Sequence, residues 1–298
     1  FPLYCLYGFA NSLFWPPLMG WLSAGIEGSA LNKTISRWNF SWNLGNIISP
    51  YITGLLAEKN TILPLYTGIG LLFLVALLIG IASITFRNIR VDTHREIKIE
   101  RGRSKAQDKS TYLRFPGWIN LFSVYIILGI MGNIFPLYAR DHIGITESQV
   151  GLVLLARSLF GAFGFIITGK TLFWHFKGRY IIGNQVILAL LLLALIPLDS
   201  YAAYLLAMPV LGLVTAFIYS NAMFHGVSGS VERGKRMSIQ ESLLTSGFVF
   251  GSLAGGQLYY LYTLRQVYLF CLAVILSGLA IQLVLVGKNR KKREDKEG

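Results

Sequence analysis

Apolar residues run along this chain in blocks too long and too unbroken for a water-soluble fold. A bilayer's hydrocarbon core is crossed by about 20 residues of helix. Windows of that kind fall at 2–24, 36–57, 62–86, 117–138, 149–172, 179–198, 201–225, 237–261 and 265–286. Stretches such as LLFLVALLIG (71–80) and VILALLLLALIPL (186–198) do not alternate in polarity, as the strands of a membrane barrel must. The pattern predicts an all-α polytopic membrane protein with nine transmembrane helices. Connections are short except for 87–115, RNIRVDTHREIKIERGRSKAQDKSTYLRF, a polar segment with three helices before it and six after it. The expected organisation is a partial helix bundle over 1–86, a basic linker over 87–115, a six-helix bundle over 116–286 and a basic tail over 287–298.

Composition removes the soluble alternatives. Only 14% of residues are charged and 54% are hydrophobic, with a mean hydropathy of +0.55; an average soluble chain is about 25% charged. The net charge of +13 points to no nucleic acid, because the basic residues lie between apolar blocks rather than on one folded face. Their expected partners are anionic lipid headgroups. All but four of the 27 Lys and Arg fall on the side of the linker and tail; Lys59, Arg140 and Arg265 fall opposite, and Arg157 lies within a span. Basic residues near span ends accumulate in the cytoplasm, so linker and C-terminus are expected to be cytoplasmic, in a multi-pass protein of the cell membrane. Cys5 and Cys271 both sit in apolar runs and read as small core residues. His94, His142, His175 and His225 fall in loops or at span ends, and no acidic pair or H-E-x-x-H spacing occurs. No enzyme activity, cofactor or metal is therefore expected. The chain opens on Phe1 with its first apolar run already in progress, as if its beginning were missing.

Two segments repeat across the linker. ISRWNFSWNLGNIISPYITGLL (35–56) aligns with MSIQESLLTSGFVFGSLAGGQL (237–258), matching Ser36 with Ser238, Gly45 with Gly247, Gly54 with Gly256 and Leu56 with Leu258. Each carries small residues every four positions: Gly45, Ser49 and Thr53 in one, Gly247, Gly251 and Gly255 in the other. Such ladders let helix backbones approach closely in lipid, and they are expected to act as close-packed hinges between halves. The preceding helices also match, Gly8 with Gly212 and Trp15 with Tyr219. Six helices, a charged linker and six related helices are the plan of the major facilitator superfamily. The chain resembles helices four to twelve of such a transporter over essentially its whole length. The resemblance rests on GFANSLFWPPLMGWLS (8–23), SRWNFSWNLGNIISPYITG (36–54), NIFPLYARDHIGITESQVGLVLLARSLFGAFG (133–164) and GVSGSVERGKRMSIQESLLTSGFVFGSLAGG (226–256). It implies that helices one to three lie upstream of Phe1. The fit to the drug/proton antiporters is partial. In their fifth-helix pattern GxxxGPxxGG, Ser49 and Thr53 stand in place of glycines around Pro50, and Tyr4 stands where a fourth-helix Arg is expected before Gly8. GKTLFWHFKGR (169–179) is like a worn copy of the family's signature loop, without its acidic residue.

The resemblance implies a secondary transporter of a small organic solute working by alternating access, with proton-coupled efflux of amphiphilic compounds as one form. The alternative is an uptake transporter or uniporter for a polar or anionic solute such as a sugar or organic anion; a transport-dead receptor or scaffold is a third. The expected partners are a small-molecule substrate and a coupling proton or cation, in a monomer. Transferring the superfamily's cavity arrangement gives Asn11, Trp15, Tyr125, Asn133 and Tyr219 as lining residues. Arg157 is expected from its depth: about nine residues into its helix, roughly 13 Å at 1.5 Å per residue, where an unpaired charge is expensive. Three roles fit it: contact with an anionic or polar substrate group, pairing with an acidic residue of the missing helices, and a structural Arg in a wet cleft. Glu241 is the deepest of the 14 acidic residues. Asn39, Asn43 and Asn46 form one helix stripe, suited either to a substrate or to gluing helices together.

Overall fold

A computed structural model describes residues 15, 17–85, 108–197 and 199–297, with side chains as far as Gly287. Asn11, Cys5 and the linker as far as residue 107 lie outside the described residues. Residues 17–22 are helical and lead into α1 (Gly28–Lys59) and α2 (Leu63–Thr85). Beyond the linker come α3 (Arg114–Asn133), α4 (Phe135–Tyr138) with a π-helical turn at Ala139–Ile143, α5 (Glu147–Lys170), α6 (Gly178–Leu195), α7 (Tyr201–Val227), α8 (Arg233–Leu261) and α9 (Leu264–Glu297). No strand occurs among the described residues. Six helical stretches are long and apolar enough to cross a membrane: 63–85, 114–143, 147–170, 178–195, 201–227 and 264–287. At 32 and 29 residues, α1 and α8 have the length but carry polar residues and glycines along it, such as Asn39, Asn43 and Asn46 in α1 and Gly247, Gly251 and Gly255 in α8.

Two boundaries differ most from expectation. α1 starts at Gly28 rather than near 36, because NKTISR continues the helix past the apolar block. α9 runs on to Glu297 instead of giving way to a separate tail at 287; KNRKKREDKE is rich in residues that keep rotamer freedom in a helix.

α1 crosses the linker boundary to lie along α5, and polar side chains tie the two together. The Asn32 amide donates to the carbonyls of Thr168 (2.8 Å), Gly169 (3.2 Å) and Thr171 (3.3 Å). The Ser36 hydroxyl donates to Phe165 O at 2.5 Å and the Asn43 amide to Ser158 O at 2.8 Å. At the other end the Glu58 carboxylate accepts from Ser148 N at 3.0 Å. There it sits over the positive end of α5, already closed by a Thr146–Gln149 capping box, and these hydrogen bonds hold its carboxyl below the usual range. The same device recurs after the linker: Asn120 donates to Ile181 O (2.8 Å), Gln185 to Ile275 O (3.1 Å) and Gln282 to Pro116 O (3.1 Å). Each such bond between membrane helices contributes about 0.6 kcal/mol.

Among the described residues the α8 ladder does not pack across the linker boundary, which corrects the expectation of a hinge there. Gly247 and Gly251 press on the backbone of α3 at Phe122 and Ile126, and Gly255 presses on the Ile130 side chain, so this ladder joins two helices that both follow the linker. A Cβ on Gly45 would meet no heavy atom within 4 Å among the described residues. The close contact across the linker uses other glycines. A Cβ on Gly54 would lie 2.6 Å from Glu147 O, and one on Gly151 would lie 2.8 Å from Pro50 O.

Between α5 and α6 the segment resembling the signature loop folds as an aromatic knot. Trp174 is fully buried, and the His175 ring stacks on Phe224 with centroids 3.9 Å apart. Phe176 adopts φ 53°, in the left-handed region. Its N–H donates to His225 Nε2 at 3.1 Å, which leaves His225 Nδ1 as the donor to Asn221 O at 2.9 Å. Burial pushes the pKa of His175 down to about 4, below the free value of about 6.5. As pH falls below 6.5, the unfolded chain therefore takes up a proton that the native ring refuses, and stability is lost until about pH 4. From pH 7 to 5 the full shift corresponds to about 2 kcal/mol; with the ring half exposed, about 1 kcal/mol is expected. Thermal unfolding in detergent should show that loss in the wild type and about 1 kcal/mol less in His175→Phe, which keeps the stack. Equal pH dependence in both proteins would contradict this.

Candidate functional site: an aromatic cavity between five helices

The site begins with a close approach of helices. Gly212 of α7 faces the carbonyl of Arg157 on α5, where a Cβ would lie 2.9 Å from Arg157 C and 3.0 Å from Gly161 N. Two glycines thus let α5 and α7 touch backbone to backbone beside the arginine. Around the guanidinium opens a cavity of about 230 Å³, reached by Trp42, Asn43 and Asn46 from α1, Tyr125 from α3, Thr215 from α7 and Phe248 from α8. Arg157 is partly exposed and makes no ion pair or hydrogen bond among the described residues, although the Tyr125 hydroxyl lies within its electrostatic reach.

A smaller cavity of about 160 Å³ adjoins it and shares Trp42 and Tyr125; Trp15, Trp38, Tyr219 and Glu241 complete its polar and aromatic wall. The Glu241 carboxylate faces the Tyr219 hydroxyl. The rings pack at angles: Trp42 to Tyr219 at 5.7 Å, Trp42 to Phe165 at 5.7 Å, Tyr125 to Tyr219 at 6.5 Å and Trp15 to Trp38 at 5.3 Å. Such tilted pairs keep ring faces and edges available to a flat guest. The cation lines one cavity and the carboxylate the other, with Trp42 and Tyr125 common to both walls and no ion pair between the two charges.

Of the residues expected at the site, Trp15, Tyr125, Arg157 and Tyr219 come together around these two cavities. Asn133 does not. Its amide donates to Gly129 O and Ser252 Oγ, both at 2.9 Å, and so joins α3 to α8. Asn11 lies outside the described residues. The asparagine stripe divides: Asn43 glues α1 to α5, Asn39 is buried with its oxygen accepting from Trp42 Nε1 at 3.5 Å, and Asn46 reaches the Arg157 cavity.

Glu241, Trp38 and Thr215 were not expected as lining residues. The helix start at Arg233 puts Glu241 two turns deep rather than near an end. Trp38 and Trp42 share one face by their spacing of four, as do Thr215 and Tyr219. The Thr215 hydroxyl is buried and has no hydrogen-bond partner among the described residues, an unused polar group in the chamber wall.

A family model described as Major Facilitator Superfamily matches residues 2–228. The chain is also similar to a protein of Methanocaldococcus jannaschii named as an uncharacterized MFS-type transporter, with 23% identity over 187 residues. That match covers 60% of this chain and 48% of the relative, so the chain spans about half the length of the relative it matches. A family match over that much of the sequence, on a described structure built of helices with six apolar stretches of spanning length, shows that this chain belongs to the major facilitator superfamily.

Proposed function

We propose that this protein is a secondary transporter that carries a small organic solute by alternating access, with the Arg157 chamber as its solute site and with α1 and α8 spanning the membrane beside the six more apolar helices. The observation that carries the reading is the guanidinium of Arg157, held without an ion pair among the described residues in a chamber walled by Trp42, Tyr125 and Phe165. A cation at that depth without an ion pair is costly until an anion meets it, and aromatic walls receive a flat apolar body. The favoured solute is an amphiphilic molecule with a carboxylate or other anionic group, and Trp15 and Tyr219 extend the wall toward Glu241.

Glu241 favours proton coupling within the same reading. A carboxylate in that position can take a proton in one conformation and release it in the other, so solute and proton would share one chamber. On this reading efflux or uptake follows from the sign of the coupling. The linker and the C-terminus face the cytoplasm, and the protein resides in the cell membrane.

Flux in proteoliposomes under an imposed pH gradient tests this, with p-aminohippurate as an aromatic anion and ethidium as an aromatic cation. p-Aminohippurate flux should depend on the wild-type protein, fall more than tenfold in Arg157→Ala and recover in part in Arg157→Lys. In Glu241→Gln it should lose its dependence on the pH gradient. Protein-dependent ethidium flux untouched by Arg157→Ala would overturn the role given to Arg157, and the absence of protein-dependent flux of either probe would overturn the transport reading.

A further inference from the structure

A separate cavity of about 660 Å³ lies at the helix ends away from the linker, where the π-helical turn after α4, the α6–α7 connection and the α8–α9 connection meet. Its floor is two buried tyrosines, with the Tyr268 hydroxyl donating to Tyr204 at 3.1 Å. On one wall the Tyr138 hydroxyl donates to the Asp199 carboxylate. The rings of Tyr138, His142 and Tyr259 form a triangle, with centroids 5.1, 6.3 and 6.4 Å apart. Arg265 lines the same space.

The charges of this cavity are complementary and unpaired. Among the described residues Asp199 accepts only the Tyr138 hydrogen bond and has no cationic partner, while Arg265 has neither hydrogen bond nor ion pair. The nearby Arg140 and Asp141 neutralise each other at 2.8 Å. A carboxylate and a guanidinium therefore face one cavity without meeting. Aromatic faces and a carboxylate attract an ammonium group, and a guanidinium attracts a carboxylate or phosphate.

We propose that this cavity binds a zwitterion, with its ammonium group against Asp199 and the Tyr138–His142–Tyr259 rings and its anionic group at Arg265. The chemistry is shared by free betaines and by the headgroup of a zwitterionic phospholipid. The site is independent of the Arg157 chamber, with which it has no lining residue in common.

Saturation-transfer NMR on the purified protein in maltoside detergent tests this with three probes: glycine betaine, monomeric dihexanoylphosphatidylcholine and tetramethylammonium. The trimethylammonium protons of at least one zwitterion should receive saturation. Its affinity should fall about tenfold in Asp199→Asn and about tenfold in Arg265→Gln, while tetramethylammonium should respond to Asp199→Asn only. Both side chains are exposed, so neither substitution disturbs helix packing. A betaine signal identifies a free solute as the source; a signal from the phosphatidylcholine only identifies a lipid headgroup. No saturation of either zwitterion, or saturation that both variants leave unchanged, would overturn the proposal.

Discussion

Gly251→Leu should prevent α8 from packing on α3. A Cβ at that position would lie 2.8 Å from Ile126 Cα and closer still to its carbonyl. The obstacle is backbone, which cannot rotate away as a flexible side chain can. The ladder above and below leaves no slack, with Gly247 against Phe122 O and Gly255 against Ile130. α8 would have to lift off α3 along its length. Overpacking costs about 1–3 kcal/mol where side chains can yield, so about 3 kcal/mol or more is expected here. Unfolding in mixed detergent, with the yield of monodisperse protein, measures it. Gly183→Ala is the control, since nothing lies within 4 Å of its added Cβ and a helical Ala is favoured over Gly by about 1 kcal/mol. Equal stability of Gly251→Leu and wild type would show that the α3–α8 contact is not close-packed.

The second large effect is expected at a latch on the linker side. Arg233, 3% exposed at the start of α8, donates to the carbonyls of Ser23 and Ile26 and to the Glu27 carboxylate. Glu27, just ahead of α1, also accepts from Gly229 N at 3.1 Å. The end of the linker packs on the same turn: Lys109 N donates to Gly229 O at 3.0 Å, and Asp108 pairs with Arg236 at 3.5 Å. Asp108 is held below the usual carboxylate range, its burial outweighed by the hydrogen bonds of Ser110 and the charges of Arg236 and Arg114. One arginine thus ties the segment before α1 to the segment before α8 across the linker boundary. Glu27 is half exposed and stays solvated without its partner, so the cost of removing Arg233 is that of its charge-assisted hydrogen bonds, about 3 kcal/mol. Arg233→Leu is therefore expected to shift the latch toward opening by roughly 100-fold, at tenfold for each 1.4 kcal/mol.

The helices were legible because long apolar windows have few interpretations, and the described helices fall where those windows lie. The helix ends were less so: α1 and α9 continue through polar sequence that no hydropathy window registers. The faces were least legible. Spacing puts Asn43 and Asn46 on nearly one stripe, yet a small difference in angle gives one to Ser158 O and the other to the Arg157 cavity. Asn133 was a reasonable lining residue by position, but its amide is taken by Gly129 and Ser252. The glycine ladder of α8 signalled a close approach without naming the partner. Arg157 stood out because a lone charge deep in an apolar helix has few explanations, whereas Glu241 was obscured by a helix start four residues earlier than expected.

Alternating access requires that the Arg157 chamber be reachable from both sides, one at a time, and this can be measured without knowing the solute. Asn46 is exposed and lines that chamber. With Cys5 and Cys271 replaced by alanine, Asn46→Cys can be challenged with a membrane-impermeant maleimide from each face of oriented vesicles. The expected result is labelling from the face away from the linker while Arg233 is intact, and a roughly 100-fold faster reaction from the linker face once Arg233→Leu is added. Labelling from one face at a rate indifferent to Arg233, or from neither face, would contradict a chamber that opens in turn to the two sides.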